Sequence, residues 1–203
     1  MPLDVDDDEL ARCRELLNDD ERARADRFRV DAVARRFTVA RAFLRRTLGE
    51  ALSRAPESVA IEVGERGKPF VRGIEFNLSH SHELAVIAVG DERVGIDVEH
   101  VRPRNDLFGI ARRFFAPDEI DALASLSPDE VEHGFYRIWT GKEAYLKGLG
   151  EGISLPLDWF AVSIDRDSPR LLRARNDGAA RWELSRVDAG EGYVCTLAVR
   201  IEP

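Results

Sequence analysis

A chain of 203 residues with 44% hydrophobic residues is long enough to bury a core, either as one large domain or as two small packed ones. Its net charge of −8 argues against general nucleic-acid binding, because affinity for a phosphate backbone requires a basic surface. No run approaches the roughly 18 apolar residues of a membrane span, and the first ten residues lack the pattern of a signal peptide, so we expect a soluble cytoplasmic protein.

The first half of the chain reads as helices followed by strands. Residues 9–17 predict one helix, and residues 21–52 predict a second, in which apolar residues recur at helical spacing. Short apolar stretches bounded by glycine-containing turns then predict strands. These strands cover, in order, residues 58–63, 74–78, 84–90 and 93–99.

The second half repeats this order. Ala116 opens a helix with Pro117 at its first turn and acidic residues behind it, which suits the positive end of the helix dipole. A longer helix is predicted over residues 128–149. Strands follow at 160–164, 181–187 and 193–201. The order of elements predicts an α+β protein of two similar halves, residues 1–100 and 101–203, with a ligand site in the cleft between them.

Two carboxylates are directed to one side of a predicted strand. In the stretch VGIDVEH, residues 94–100, side chains alternate between two faces, so Asp97 and Glu99 share a face while the apolar side chains take the other. Neighbouring carboxylates repel each other, and a hard divalent cation such as Mg²⁺ relieves that repulsion by taking oxygen ligands from both. The pair predicts a metal site; the alternative is a strand whose second face is merely solvated.

The long predicted helix carries a second polar group. Trp139, Glu143 and Lys147 follow each other at intervals of four residues and lie along one helical face, with Lys142 beside them. Only three of the 30 basic residues are lysines, and two of those are Lys142 and Lys147. A compact ammonium and a planar guanidinium are not interchangeable where a single phosphate oxygen or a crowded metal site must be contacted. The lysines therefore predict a role at such a site. A surface ion pair between Glu143 and Lys147 is the alternative.

Polar residues near one predicted strand complete the set. Ser79 and His80 follow the strand at 74–78 and can donate hydrogen bonds to phosphate oxygens, although a turn role for the serine is the alternative. Lys68 lies in a turn between a glycine and a proline. No catalytic triad, nucleotide-binding loop or paired-cysteine motif occurs. The chemistry that remains is a metal and several cations around a diphosphate-like ligand.

Five segments carry a resemblance to a known family. They read RGKPF, FNLSHS, GIDVE, RFFAPDE and WTGKEAYLKGLGEGISLPL, in this order along the chain. The set resembles the Sfp-type 4′-phosphopantetheinyl transferases over residues 24–160, which is most of the chain. Each segment alone is a weak signal, whereas all five in this order and at this spacing are highly specific.

The resemblance implies a fold, a reaction and partners. It implies two α/β halves related by pseudo-twofold symmetry, with coenzyme A and Mg²⁺ in the cleft between them. The phosphopantetheine arm of coenzyme A would move to a serine hydroxyl of an apo acyl, peptidyl or polyketide carrier protein, with release of adenosine 3′,5′-bisphosphate. We accordingly expect a monomer that acts on a carrier protein and binds neither nucleic acid nor membrane.

The resemblance also implies roles for individual residues. Asp97, Glu99 and Glu143 would be the metal ligands, and Glu143 would also be the general base for the serine hydroxyl. Lys147 would meet the transferring phosphate as a second catalytic residue. The residues implied to bind coenzyme A are Arg24, Lys68, Pro69, Ser79, His80 and Lys142.

Two alternatives stay open beside this reading. One is the short holo-carrier synthase that assembles as a trimer of single halves, although a chain of 203 residues with two sets of strands fits the doubled type better. The other is a non-catalytic protein of the same fold that binds coenzyme A or a carrier without transfer. The sequence leaves open whether the carrier belongs to a peptide synthetase, a polyketide synthase or fatty-acid synthesis.

Overall fold

The chain folds into long helices packed against antiparallel sheets, which confirms the α+β class. The computed structural model describes residues 1–64, 67–150, 155–174 and 178–201. Two parts of the motifs quoted above, Arg66 in RGKPF and residues 151–154, lie outside the described residues.

Three helices open the chain where the sequence predicted two. They are α1 (Asp7–Glu15), α2 (Asp19–Asp26) and α3 (Asp31–Leu52). The single helix predicted over residues 21–52 is therefore wrong, because residues 27–30 interrupt it and Val30 is extended, with φ of −106° and ψ of 117°. Apolar spacing continues through the interruption, so the pattern alone does not reveal it.

A buried ion network explains the turn between α2 and α3. The Glu21 carboxylate accepts the Nε–H of Arg45 at 2.6 Å and that of Arg41 at 2.5 Å, and Arg45 is 1% exposed. Arg45 also donates to the carbonyl oxygens of Pro56 and Val59. Glu21 reaches these arginines because α2 folds back along α3, so a long-range pairing overrides the continuous helical pattern.

Three further α-helices lie in the described residues of the second half of the chain. They are α4 (Leu107–Phe114), α5 (Pro117–Ala124) and α6 (Val131–Leu149). The predicted α5 is confirmed, with Pro117 in its first turn, and so is α6. The sequence did not predict α4, because its 8 residues offer too short a window for a periodic pattern and it lacks the proline and acidic first turn by which the equally short α5 was recognised. The Asp106 side chain begins α4 by accepting the N–H of Gly109.

Short antiparallel strands form four small sheets among the described residues. In chain order they are β1 (Glu62–Val63), β2 (Pro69–Phe70), β3 (Glu75–Ser81), β4 (Leu84–Gly90), β5 (Val94–His100), β6 (Ala161–Val162), β7 (Leu171–Arg173), β8 (Trp182–Arg186) and β9 (Tyr193–Arg200). β3 pairs with β4, and β9 lies between β5 and β8. The predicted division of the chain at residue 100 stays a prediction; β5, which precedes it, pairs with β9.

Glycine contacts hold α6 against β5. A β-carbon added at Gly95 would lie 2.0 Å from the carbonyl oxygen of Ala144 and 2.3 Å from the backbone nitrogen of Gly148. Both of those atoms belong to the backbone and cannot rotate away, so only glycine permits this approach of helix and strand. The contact brings the helix that carries Glu143 and Lys147 directly onto the strand that carries the predicted metal ligands.

The largest apolar core lies between α6 and the strands around it. It contains the fully buried rings of Phe135, Tyr145 and Phe160 together with Trp182. Trp139 packs at its border, with its ring stacked on Phe135 at a centroid distance of 5.9 Å, so this tryptophan contributes to the core. No helix within the described ranges is long and apolar enough to cross a membrane.

Candidate active site

Lys147 joins three of the sequence motifs at one point. Its Nζ donates to Asp97 Oδ1 at 2.6 Å and to Ser79 Oγ at 3.0 Å, so α6, β5 and β3 meet there. The alternative of a local ion pair between Glu143 and Lys147 does not describe this geometry, because the ammonium reaches across to β5. The structure thus brings residues from distant parts of the sequence together around one cation.

Side chains of β3 take the place of a neighbouring strand along the free edge of β5. Backbone N–H groups of alternate β5 residues donate to polar side chains of alternate β3 residues. The three bonds are Ile96 N to Asn77 Oδ1 at 2.9 Å, Val98 N to Ser79 Oγ at 3.3 Å and His100 N to Ser81 Oγ at 3.1 Å. The period of two on both strands makes the three contacts equivalent. This ladder connects the two sheets through side chains.

The same two serines orient the carboxylates of β5. Ser79 Oγ donates to Asp97 Oδ1 at 2.9 Å, and Ser81 Oγ donates to Glu99 Oε2 at 2.8 Å. Each serine therefore accepts one backbone N–H and donates to the carboxylate one residue earlier on β5. Asn77 was not singled out from the sequence, although its alternation with Ser79 and Ser81 in FNLSHS was the signal that could have revealed it.

Replacing Ser81 with alanine is expected to lower the free energy of unfolding by about 1–3 kcal/mol, because the His100 N–H and the Glu99 carboxylate both lose a partner. Urea unfolding of the purified variant measures this loss. Ser125→Ala is the matched control, since Ser125 is exposed and donates only to the carbonyl oxygen of Ala122. An equal effect of the two substitutions would show that the ladder contributes nothing specific.

Asp97 is buried, and one of its two carboxylate oxygens lacks a hydrogen-bond partner among the described residues. Burial raises its pKa to about 6, and the negative charge of Glu99 adds to this rise, while Lys147 and Ser79 oppose it. Asp97 Oδ1 accepts the bonds from Ser79 and Lys147, whereas Asp97 Oδ2 is buried without a hydrogen-bond partner in the described part of the chain. A buried unpaired carboxylate oxygen is costly, and a bound cation is one way to satisfy it.

Glu143 lies in the same electrostatic field. Burial raises the pKa of its carboxyl, Lys147 lowers it, and the charge of Glu99 raises it again. Glu99 thus raises the pKa of both Asp97 and Glu143, and the ammonium of Lys147 does not fully offset burial and this charge. No group of three or more His, Cys, Asp or Glu side chains is already gathered closely enough to hold a metal among residues 1–64, 67–150, 155–174 and 178–201. The oxygen-only donors and the unpaired Asp97 Oδ2 nevertheless fit a hard cation such as Mg²⁺.

Two more of the predicted ligand residues lie beside this cluster. Partial burial and the positive charge of Lys147 lower the pKa of His80, so that side chain is within the electrostatic reach of the site. Lys68 Nζ donates to the carbonyl oxygen of Lys147 at 3.1 Å, and burial lowers its pKa. Lys68 and Pro69 line a cavity of about 530 Å³ that also reaches Arg93 and Gly150. The cavity is therefore continuous with the C-terminal end of α6.

Lys142 has a different role from the one that the resemblance implied. Its Nζ contacts Glu119 Oε2 at 2.7 Å and donates to the carbonyl oxygens of Leu157 and Phe160 at 2.8 and 2.7 Å. All three of its hydrogens are used, and the residue is 0% exposed. No donor of Lys142 is left for a phosphate, so we treat this lysine as part of the core and not of the ligand site.

Arg24 lies on α2, away from the contacts described above. Its guanidinium stands 5.2 Å from the centre of the Phe37 ring on α3, which is a cation–π arrangement. Within the described residues, no hydrogen bond or ion pair joins Arg24 to the cluster around Lys147. Its implied role at coenzyme A stays a prediction.

Comparison with known families gives two adjoining matches. A family model described as 4′-phosphopantetheinyl transferase, N-terminal, matches residues 5–92. A second model, described as the 4′-phosphopantetheinyl transferase superfamily, matches residues 93–198 and so includes Asp97, Glu99, Glu143 and Lys147. Together the two models account for nearly the whole chain.

Individual proteins give similar results. The chain is 38% identical over 206 residues to the 4′-phosphopantetheinyl transferase HetI of Nostoc sp. strain PCC 7120, covering 98% of this chain and 85% of HetI. It is 36% identical over 168 residues to the 4′-phosphopantetheinyl transferase psf-1 of Bacillus pumilus, covering 81% and 71% of the two chains. Among solved structures, the Thermotoga maritima holo-[acyl-carrier-protein] synthase matches 54% of this chain and 63% of its own, with a TM-score of 0.43 and 21% identity.

Proposed function

The chain belongs to the 4′-phosphopantetheinyl transferase superfamily, and from that premise we propose that it takes the phosphopantetheine arm from coenzyme A, with Mg²⁺, and attaches it to a serine of an apo carrier protein. The second product would be adenosine 3′,5′-bisphosphate. We propose that the enzyme acts as a cytoplasmic monomer on an acyl, peptidyl or polyketide carrier. The main support for this proposal is the contact of Lys147 Nζ with Asp97 Oδ1 and Ser79 Oγ, since it brings together the FNLSHS, GIDVE and WTGKEAYLK segments.

We assign the metal site to three carboxylates, Asp97, Glu99 and Glu143. Support comes from the unpaired buried Asp97 Oδ2 and from the pKa values of Asp97 and Glu143, which burial raises and the charge of Glu99 raises further. When bound, Mg²⁺ would neutralise charge on the diphosphate and make the bond to the departing oxygen easier to break. Asp97 and Glu99 are already oriented by Ser79 and Ser81, which favours these two as fixed ligands.

Cationic groups of the chain would hold the phosphates of coenzyme A. Lys147 is 29% exposed, so its ammonium can exchange its contact with Asp97 for one with a phosphate oxygen. His80 feels the charge of this ammonium and Lys68 Nζ donates to the backbone carbonyl of Lys147, so both are near enough to supply further donors. Fixed cations around the transferring phosphoryl group stabilise the charge that develops in the transition state, and positioning supplies most of the remaining rate enhancement.

Glu143 would act as the base that activates the carrier serine. Burial and the charge of Glu99 raise the pKa of this carboxyl, which makes Glu143 a better proton acceptor than an exposed glutamate. Glu143 takes the proton of the serine hydroxyl while the serine oxygen forms its bond to the phosphorus that carries pantetheine. The bond from that phosphorus to the bridging oxygen breaks, and its electron pair leaves with adenosine 3′,5′-bisphosphate.

Intact-protein mass spectrometry tests this function directly. We expect an apo carrier protein incubated with this protein, coenzyme A and Mg²⁺ to gain the mass of one phosphopantetheine. The gain should disappear when EDTA is present and return when excess Mg²⁺ is added. A carrier whose modified serine is replaced by alanine is the matched control and should stay unchanged.

Two outcomes would contradict the proposal in different ways. Modification that is indifferent to EDTA would remove the metal from the mechanism. No modification across acyl, peptidyl and polyketide carriers, with coenzyme A still bound, would instead favour a binding protein of the same fold that does not transfer.

A further inference from the structure

Three side chains form a polar row across the sheet, beneath α6. Asp97 on β5 stands directly opposite Thr196 on β9, and Thr196 stands opposite Arg186 on β8. Residues that face each other across antiparallel strands lie on the same face of the sheet. The row therefore begins at the candidate active site and ends at a residue to which neither the sequence analysis nor the resemblance gave a role.

The middle of the row bonds to α6 through a pair of hydroxyl groups. Thr140 Oγ1 and Thr196 Oγ1 are 2.8 Å apart, and both residues are 0% exposed. Thr140 Oγ1 also lies 2.8 Å from the Tyr136 carbonyl oxygen, which can only accept. Since a hydroxyl has one hydrogen, Thr140 donates to Tyr136 and Thr196 must donate to Thr140. The geometry fixes the direction of each bond.

Arg186 completes this set of bonds from the other side. Its Nη1 donates to Thr196 Oγ1 and, at 3.1 Å, to the Arg137 carbonyl oxygen on α6. Its Nη2 donates to the carbonyl oxygen of Asp165 at 3.1 Å. Burial lowers the pKa of Arg186 to about 10, so holding a cation here opposes folding. The directional bonds of this arginine join β8 to β9 and to α6.

These bonds lie one turn of helix from the candidate catalytic glutamate. Thr140 precedes Glu143 by three residues, and on the other side of Glu143 the contact between Gly95 and Gly148 sets how closely α6 approaches β5. Glycine contacts and apolar packing fix a distance but have little directional preference. A hydroxyl pair with a defined donor and acceptor fixes the rotation of the helix and its position along its axis.

We infer that Thr140, Thr196 and Arg186 form a positioning element that holds the α6 turn carrying Glu143 in register with Asp97 and Glu99. The three residues touch neither substrate nor phosphate in this role and act only through the placement of Glu143. The inference rests on the proposed function for its catalytic consequence, whereas the restraint on α6 can be measured without any transfer reaction.

The test compares Thr196→Val, which removes the hydroxyl at constant shape, with Thr196→Ser, which retains it. We expect Thr196→Val to lower kcat for carrier modification by about tenfold or more while KM for coenzyme A stays within about threefold, because the placement of Glu143 and not binding is disturbed. Thr196→Ser should stay within about threefold of the unchanged protein in both constants. Amide exchange across residues 137–147 should be faster in Thr196→Val and unchanged in Thr196→Ser.

Two further variants keep the comparison decisive. Thr140→Val removes the other hydroxyl and should reproduce the loss in kcat, which covers the case that Thr196→Val does not fold. Thr38→Val is the matched control, because Thr38 is 3% exposed and its hydroxyl donates only to the Ala34 carbonyl oxygen within α3. It should leave kcat and the exchange of residues 137–147 unchanged.

Contrary outcomes separate this inference from the proposed function. A Thr196→Val protein with unchanged kcat and unchanged amide exchange would overturn the positioning role while the transferase stands. If the wild-type protein transfers nothing, the proposed function fails. Amide exchange alone then tests whether the hydroxyl pair restrains α6, and equal exchange in Thr196→Val and the wild-type protein would refute that restraint.

Discussion

Replacing Glu143 with glutamine is expected to lower kcat by about 10³-fold or more, because the substitution removes both the proposed base and one oxygen of the proposed metal site. Glutamine keeps the size of the side chain, and the Glu143 carboxylate accepts no hydrogen bond from the described residues, so we expect the fold to be retained. Coenzyme A binding should change by no more than about threefold, since the cationic residues that would hold its phosphates are intact.

Single-turnover carrier modification and calorimetric binding of coenzyme A measure the two quantities separately. Glu132→Gln is the matched control, because it changes a glutamate in the first turn of the same helix, far from Lys147. Transfer at a nearly unchanged rate in Glu143→Gln would remove Glu143 from the mechanism. Loss of coenzyme A binding along with transfer would instead show that Glu143 acts mainly on the binding of coenzyme A.

Replacing Lys142 with methionine is expected to give the largest loss of stability, about 3–5 kcal/mol. The substitution leaves the Glu119 carboxylate buried at 2% exposure without its cation. That carboxylate also accepts the backbone N–H groups of Ala116 and Val162, so it connects α5, α6 and β6. An uncompensated charge at this junction must either stay ionised at high cost or take up a proton.

The pH dependence of this loss distinguishes an electrostatic cause from a packing cause. Burial already raises the pKa of Glu119 against the opposing effect of Lys142, and removal of the ammonium raises it further. A carboxyl whose folded pKa lies above its unfolded value, about 4.3, favours folding when protonated and loses that contribution as pH rises through the folded pKa. The deficit of Lys142→Met relative to the unchanged protein should therefore be smaller at pH 5 than at pH 8.

Guanidinium unfolding at the two pH values measures this deficit. Arg170→Met is the control, because it breaks an exposed ion pair with Asp165 at 3.3 Å and should change stability little. A deficit in Lys142→Met that is equal at pH 5 and pH 8 would show that lost packing, and not the charge of Glu119, is responsible.

Much of the candidate site could be predicted from local sequence alone. The period of two in VGIDVEH placed Asp97 and Glu99 on one side of β5, and the helical spacing of WTGKEAYLK placed Glu143 and Lys147 on one helix. Such predictions succeed because the side-chain period of a strand or helix is a property of the backbone and needs no knowledge of the neighbours.

Which partner each polar group meets was decided by tertiary structure. The two lysines of α6 looked alike in the sequence, yet Lys142 is enclosed with Glu119 while Lys147 reaches Asp97. Helical spacing gives the direction of a side chain but not what lies in that direction. The interruption between α2 and α3 has the same origin, since it follows from the pairing of Glu21 with Arg45, which lies 24 positions later in the chain.

The sequence by itself determined the general succession of helices and strands in each half, the alternation on β5 and the polar face of α6, because each follows from local backbone geometry and from contacts within a few residues. Only the tertiary structure decided that side chains of β3 complete the edge of β5, that Lys142 belongs to the core, and that Thr140 meets Thr196. Those contacts join residues distant in the chain, and their energies depend on burial and exact geometry that no local pattern encodes.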